Sequence, residues 1–161
     1  MMTKVPLPAF GVENMKKTKN SATWRLLDAR LPLMPGRDYP TTVIDNAGTL
    51  QRELGRWAKG RPGILILKNP TGEMLLVGLG GPVGIVESVR PPNGSHRIAW
   101  TDTPYSADSI EFQMEGLGAP FHPRHLLPME KVIDIVLHYY TFHQLPNWIK
   151  WGPRTLEDAQ D

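Results

Sequence analysis

Toward the end of the chain the spacing of apolar residues changes from one period to another. Val132, Ile133, Val136, Leu137, Tyr139 and Tyr140 recur at three- and four-residue steps, while Lys131, Asp134, His138 and Thr141 fall on the other side. That spacing predicts an amphipathic helix. Pro128 suits its first turn and Glu130 complements the dipole close behind, so the helix is expected to start near Pro128. Pro146 cannot continue it, and Trp148-Ile-Lys-Trp151, rich in β-formers, reads as a closing strand.

Upstream, Thr41–Asp45 reads as a strand, and Asn46–Lys59 as a helix with Leu50, Leu54, Trp57 and Ala58 on one face, ended by Gly60. Short apolar runs follow at Ile64–Leu67, Glu73–Leu79 and Ile85–Val89, punctuated by turns at Asn69-Pro-Thr-Gly72 and Gly80–Gly84. Later strands are expected at His96–Trp100 and Ile110–Met114. One helix before a run of strands and one after predicts an α+β fold. Its expected form is an antiparallel meander sheet covered by helices on one side, with a closing C-terminal strand.

The chain has 161 residues, enough for one domain with an ordinary core. The expected organisation is a basic, proline-containing extension over 1–38, the α+β domain over 39–153 and a short tail over 154–161. In the extension, Ala22–Leu27 is strand-like. With no cysteine, neither a disulfide framework nor a thiolate metal site can form, and a reduced cytoplasmic setting is expected. The N-terminus lacks an apolar signal core and no stretch approaches the length of a membrane span, so membrane association is not expected.

The net charge of +2 conceals an asymmetry. Residues 1–38 hold 7 Lys/Arg against 3 Asp/Glu, and the remainder holds 11 against 13. Between Ile98 and Pro123 lie Asp102, Asp108, Glu111 and Glu115, with no lysine or arginine.

Candidate chemistry is sparse. Gly78–Gly84 resembles a phosphate-binding loop only loosely: Val83 stands where the third glycine belongs, and the following segment is strand-like, so a hairpin turn is expected. His122 and His125, with His138 and His143, lack the pattern of a zinc site, and no GxSxG elbow is present. No cofactor, metal or catalytic residue is therefore assigned, and the chain is not expected to be an enzyme. The tryptophans Trp57, Trp100, Trp148 and Trp151 read as packing residues. Trp148 and Trp151, three apart on a strand, would face opposite sides, one buried and one free to anchor an interface.

The hairpin Leu75–Val89, the helix start Leu127-Pro-Met-Glu130, the aromatic end Tyr139-Tyr-Thr-Phe142 and the run from Pro146 to Trp151 occur in an order that resembles the first family of bacterial polymorphic-toxin immunity proteins. The likeness spans roughly Tyr39 to Trp151. His143-Gln-Leu145 departs from it where a small residue is usual, and the N-terminal extension lies outside it. The resemblance implies an inhibitor in interbacterial competition that binds its cognate toxin domain one to one, the toxin being of the nucleic-acid deaminase type. Such a toxin offers a positive surface near its pocket. On that reading Asp102, Asp108, Glu111 and Glu115 take phosphate positions while Trp100, Tyr105 and Phe112 fill space near the pocket. The rival expectation is a small nucleic-acid-binding module using Lys16, Lys17, Lys19 and Arg25.

Overall fold

The computed structural model describes residues 23–90, 95–104 and 109–154. The central strands form in chain order: β1 (Trp24–Asp28), β2 (Thr41–Ile44), β3 (Gly63–Lys68), β4 (Met74–Leu79), β5 (Val83–Arg90) and β6 (Ser95–Trp100). A hairpin of β7 (Ile110–Met114) and β8 (Leu117–Phe121), a two-residue β9 (Leu127–Pro128) and β10 (Lys150–Gly152) complete the strands. Helix α1 (Ala47–Ala58) precedes the central meander and α2 (Met129–Phe142) follows it. The sheet runs β10-β6-β5-β4-β3-β1-β2, with every neighbouring pair antiparallel. This is the expected α+β architecture.

Strand β3 is buried on both faces, which is why its sequence is a continuous apolar run and not an alternation. Leu65 and Leu67 face the helices, joining Leu50 and Leu54 of α1 and Val132, Ile135 and Val136 of α2 in one core. Ile64 and Ile66 face the other way, where Phe112 and Phe121 from the β7–β8 hairpin cover a second core with Ile85 and Ile98. Helices on one face and a hairpin across the other thus leave the middle of the sheet dry.

Local chemistry sets the ends of the elements. Asn46 caps α1, its Oδ1 accepting from the Thr49 N–H at 2.8 Å. At the other end of α1 the glycine-rich turn between β4 and β5 does what a phosphate loop would not. The Gly81 N–H donates to the Ala58 carbonyl at 3.1 Å, satisfying a C-terminal acceptor of the helix. Helix α2 starts after Pro128, with Met129 N–H donating to the Pro82 carbonyl, and ends in His143, a left-handed residue at φ 59°.

Three features differ from expectation or lie beyond it. Within the expected extension, Trp24–Asp28, inside the run read as strand-like, is built into the sheet as β1, pairing with both β2 and β3. Strand β8 was not expected, because Leu117-Gly-Ala-Pro-Phe121 carries few β-formers and is held by its pairing to β7. The closing strand begins only at Lys150, since the turn from Pro146 continues through Trp148. Trp148 is therefore exposed in that turn, while Trp151 packs against the first core and donates its Nε1–H to the Pro146 carbonyl at 3.0 Å.

Candidate partner-binding groove

The closed end of the β7–β8 hairpin is laced to two loops by main-chain hydrogen bonds. Glu115 N–H donates to the Ala29 carbonyl at 2.7 Å, Gly116 N–H to the Arg30 carbonyl at 2.8 Å, and Gln113 N–H to the Pro62 carbonyl at 3.0 Å. Gly116 is required there: its φ is 84°, and a Cβ would lie 2.7 Å from Pro32 Cγ. Between hairpin and loops runs a groove of about 730 Å³, lined among others by Arg30, Leu31, Pro32, Arg61, Glu111 and Gln113. Glu111 and Gln113 reach it because alternation on β7 turns them outward while Phe112, between them, points into the core.

Arg30 is held before any partner arrives. Its guanidinium lies 3.6 Å from the Trp57 ring centroid, and Nε and Nη2 donate to the two carboxylate oxygens of Asp28 at 3.2 and 3.0 Å. Its stem crosses β3 at Gly63, where any Cβ would collide with Arg30 Cγ and Cδ. Among the lining residues Leu31 is 66 % exposed, and Leu117, next in the chain to the lining residue Gly116, is 74 % exposed. The groove therefore combines fixed positive charge, a carboxylate and exposed apolar side chains.

The residues expected to form one acidic face are dispersed. Glu115, at the hairpin turn, accepts from the Tyr39 hydroxyl at 2.7 Å, and that bond, with burial and the negative charge, pushes Tyr39 up to about 12. Glu111 lies four residues back along β7. Asp102 lies past the end of β6, bound to Lys150 Nζ at 2.6 Å, and Lys150 with Arg124 holds its carboxyl below the usual range. Trp100, at the end of β6, donates its Nε1–H to the Pro153 carbonyl at 3.3 Å and meets His125 edge-on at 5.1 Å.

Phe112 is a correction to the expected contact set. It is fully buried, 5.8 Å from Phe121 in a T-shaped contact, and supports the hairpin from beneath without a surface to offer. Tyr105 and Asp108 lie outside the described residues, as do Lys16, Lys17 and Lys19. The surface is of mixed charge and not uniformly acidic, because Arg30, Arg61, Arg124 and Lys150 fold in from other segments.

Two features of the surface lie beyond the sequence reading: the Leu31–Met34 loop, and the grouping of His138 and Phe142 with Trp148, one of the two tryptophans expected to be free for an interface. The loop from Leu31 to Met34 carried no motif. At the far end of α2, exposed Phe142 and Trp148 flank His138, whose ring centroid lies 4.7 Å from that of Phe142 and 6.4 Å from that of Trp148. Among the described residues no group of three or more His, Asp or Glu is arranged to hold a metal ion. The His122 and His125 rings stand 6.3 Å apart, and His125 Nδ1 is 3.2 Å from the Ala99 carbonyl. No helix among those residues is long and apolar enough to cross a membrane. Searched against known protein families the chain matches no family model, and no curated protein matches it.

Proposed function

We propose that the chain is an immunity protein: it binds a cognate toxin domain, of the nucleic-acid deaminase type, one to one in the cytoplasm and blocks access of substrate. It acts by occupancy, without turnover. The observation that carries this reading is the groove, where exposed Leu31, with Leu117 beside the lining residue Gly116, accompanies a fixed Arg30 and a carboxylate, Glu111. Large exposed apolar side chains grouped around a concave surface mark an interaction site.

Magnitudes bound how the groove would be used. Burying two such side chains yields roughly 3–6 kcal/mol at about 1.5–3 kcal/mol each. Association itself costs about 4–15 kcal/mol. An antidote to a lethal enzyme needs nanomolar binding, about −12 kcal/mol. The interface must therefore extend beyond the rim, and the ready-made Arg30 and the flanking Arg61, Glu111 and Glu115 are the groups that extend it. Arg30 loses little freedom on binding because Asp28 and Trp57 already hold it.

The test is co-expression with the toxin domain encoded by the neighbouring gene, with a deamination assay on the purified mixture. Growth rescue together with loss of deamination at equimolar ratio is expected. A toxin that stays active in the presence of excess chain would overturn the proposal.

A further inference from the structure

Much of the main chain around the groove uses its hydrogen-bonding groups internally. The Ala29, Arg30 and Pro62 carbonyls accept from Glu115, Gly116 and Gln113, and Pro32 and Pro62 have no N–H to give. What the groove offers a partner therefore resides mainly in the side chains of Arg30, Arg61, Glu111 and Gln113.

The two arginines come from the loops. Asp28 takes the Nε and Nη2 edge of Arg30, which uses two of the five N–H donors, and Trp57 covers one face of the guanidinium. The end-on edge of Arg30, formed by Nη1 and Nη2, has no acceptor among the described residues. Arg61 is exposed, and among the described residues no carboxylate pairs with it. Its main chain is backed by Gly80, where a Cβ would lie 2.5 Å from the Arg61 carbonyl carbon. Glu111 belongs to the hairpin and lies over Gly118 of β8, where any Cβ would collide with its carboxylate. Donors thus collect on the loop wall of the groove and a carboxylate on the hairpin wall.

We infer that the groove takes an aspartate or glutamate side chain of the toxin domain, bound by the end-on edge of Arg30 and flanked by Arg61, with an apolar neighbour of that residue against Leu31 and Leu117. The inference rests on the immunity reading and names what the partner brings to this site. The planar guanidinium fork matches a carboxylate in two parallel bonds, which a lysine cannot reproduce. Asp28 offsets the charge of Arg30, so Arg30 supplies direction while Arg61 supplies attraction. Both act on a partner with little ordering left to do at Arg30, since Asp28 and Trp57 already hold it. A nucleic-acid strand fits the groove less well, because its repeated phosphates would also face Glu111 and would leave Leu31 and Leu117 without apolar contact.

The test titrates the full chain with the toxin domain encoded by the neighbouring gene, beside Arg61→Gln, Arg30→Lys and, as a control on exposed α1 away from the groove, Arg52→Gln. Arg61→Gln should keep the Tm and weaken binding by about tenfold or more, and Arg30→Lys, which keeps a charge but loses the fork, should also weaken it. Arg52→Gln should bind as the parent does. Alanine substitution of exposed acids on the toxin should then find one whose loss costs about tenfold against the parent and less than about twofold against Arg61→Gln. Absence of toxin binding by the parent would overturn the immunity reading and this inference together. Three results would overturn the inference alone: full binding by both Arg61→Gln and Arg30→Lys, no toxin acid coupled to Arg61, or Arg61-dependent capture of a single-stranded oligonucleotide at about 0.15 M salt.

Discussion

Asn69 and Tyr139 join the turn between β3 and β4 to helix α2. Asn69 Nδ2 donates to the Tyr139 hydroxyl at 3.1 Å, while its Oδ1 accepts from Thr71 N–H, the Thr71 hydroxyl and Glu73 N–H. Both residues are buried at the edge of the first core. One side chain thus shapes the turn and locks it to the helix. Asn69→Ala should destabilise the fold by about 3 kcal/mol, since it leaves three donors without an acceptor. Tyr139→Phe should cost only about 1 kcal/mol, because Asn69 Nδ2 keeps Glu73 Oε1 at 3.3 Å. Urea unfolding of the two variants checks the ranking, and equal losses would contradict it.

The same tyrosine makes the fold sensitive to base. Burial and the nearby charge of Glu73 push Tyr139 up to about 12, and the Glu115 hydrogen bond pushes Tyr39 up to about 12, both from 10.0. A folded-state pKa above the unfolded one gives stability that is complete below about pH 10 and lost as pH rises through about 12. Urea midpoints should therefore fall over that window, and Tyr139→Phe and Tyr39→Phe should each flatten the fall. A midpoint independent of pH there would refute the assignment.

His125 sets the acid side. It is fully buried, its Nδ1–H donates to the Ala99 carbonyl, and burial lowers its pKa below the ordinary histidine value of 6.5. The charged form is disfavoured in the fold, so stability is full above about pH 6.5 and declines as pH drops through the depressed folded value. His125→Gln should lower stability at neutral pH yet remove this part of the acid dependence. Chemical unfolding between about pH 4 and pH 8 reads both effects.

Gly63 and Arg30 share one space, so their substitutions should couple. Gly63→Ala drives a methyl group into the Arg30 stem and should destabilise by about 1–3 kcal/mol. In an Arg30→Ala background that cost should largely vanish, giving a coupling energy of about 1 kcal/mol or more in a double-mutant cycle. Strict additivity would mean that the stem does not cross β3 as described.

Much of this fold was legible because its signals were local. The run Ile64–Leu67, the hairpin Leu75–Val89 and the periodicity from Val132 to Tyr140 each report their own burial. Strand β8 was not legible, since its glycine, alanine and proline adopt a strand only when β7 is alongside. The groove was half legible. Glu111 was visible as a charge, and strand alternation already implied that Phe112, next to it, faces the other way. That Arg30, Arg61 and Lys150 would come to stand among the acids depends on tertiary packing, for which the sequence carries no local mark. Trp148 was misplaced for a similar reason: the turn at Pro146 runs further than propensity suggests.

The central claim is that the groove binds a toxin domain, and calorimetry of the purified chain against the toxin domain encoded by the neighbouring gene, run beside a Leu31→Asp/Leu117→Asp variant, tests it most directly. Both positions are well exposed, so the variant should fold as the parent does. The account predicts one-to-one binding at nanomolar affinity, weakened about a hundredfold or more by the variant, a loss of roughly 2.7 kcal/mol. Absence of binding by the parent chain, or equal affinity for parent and variant, would contradict it.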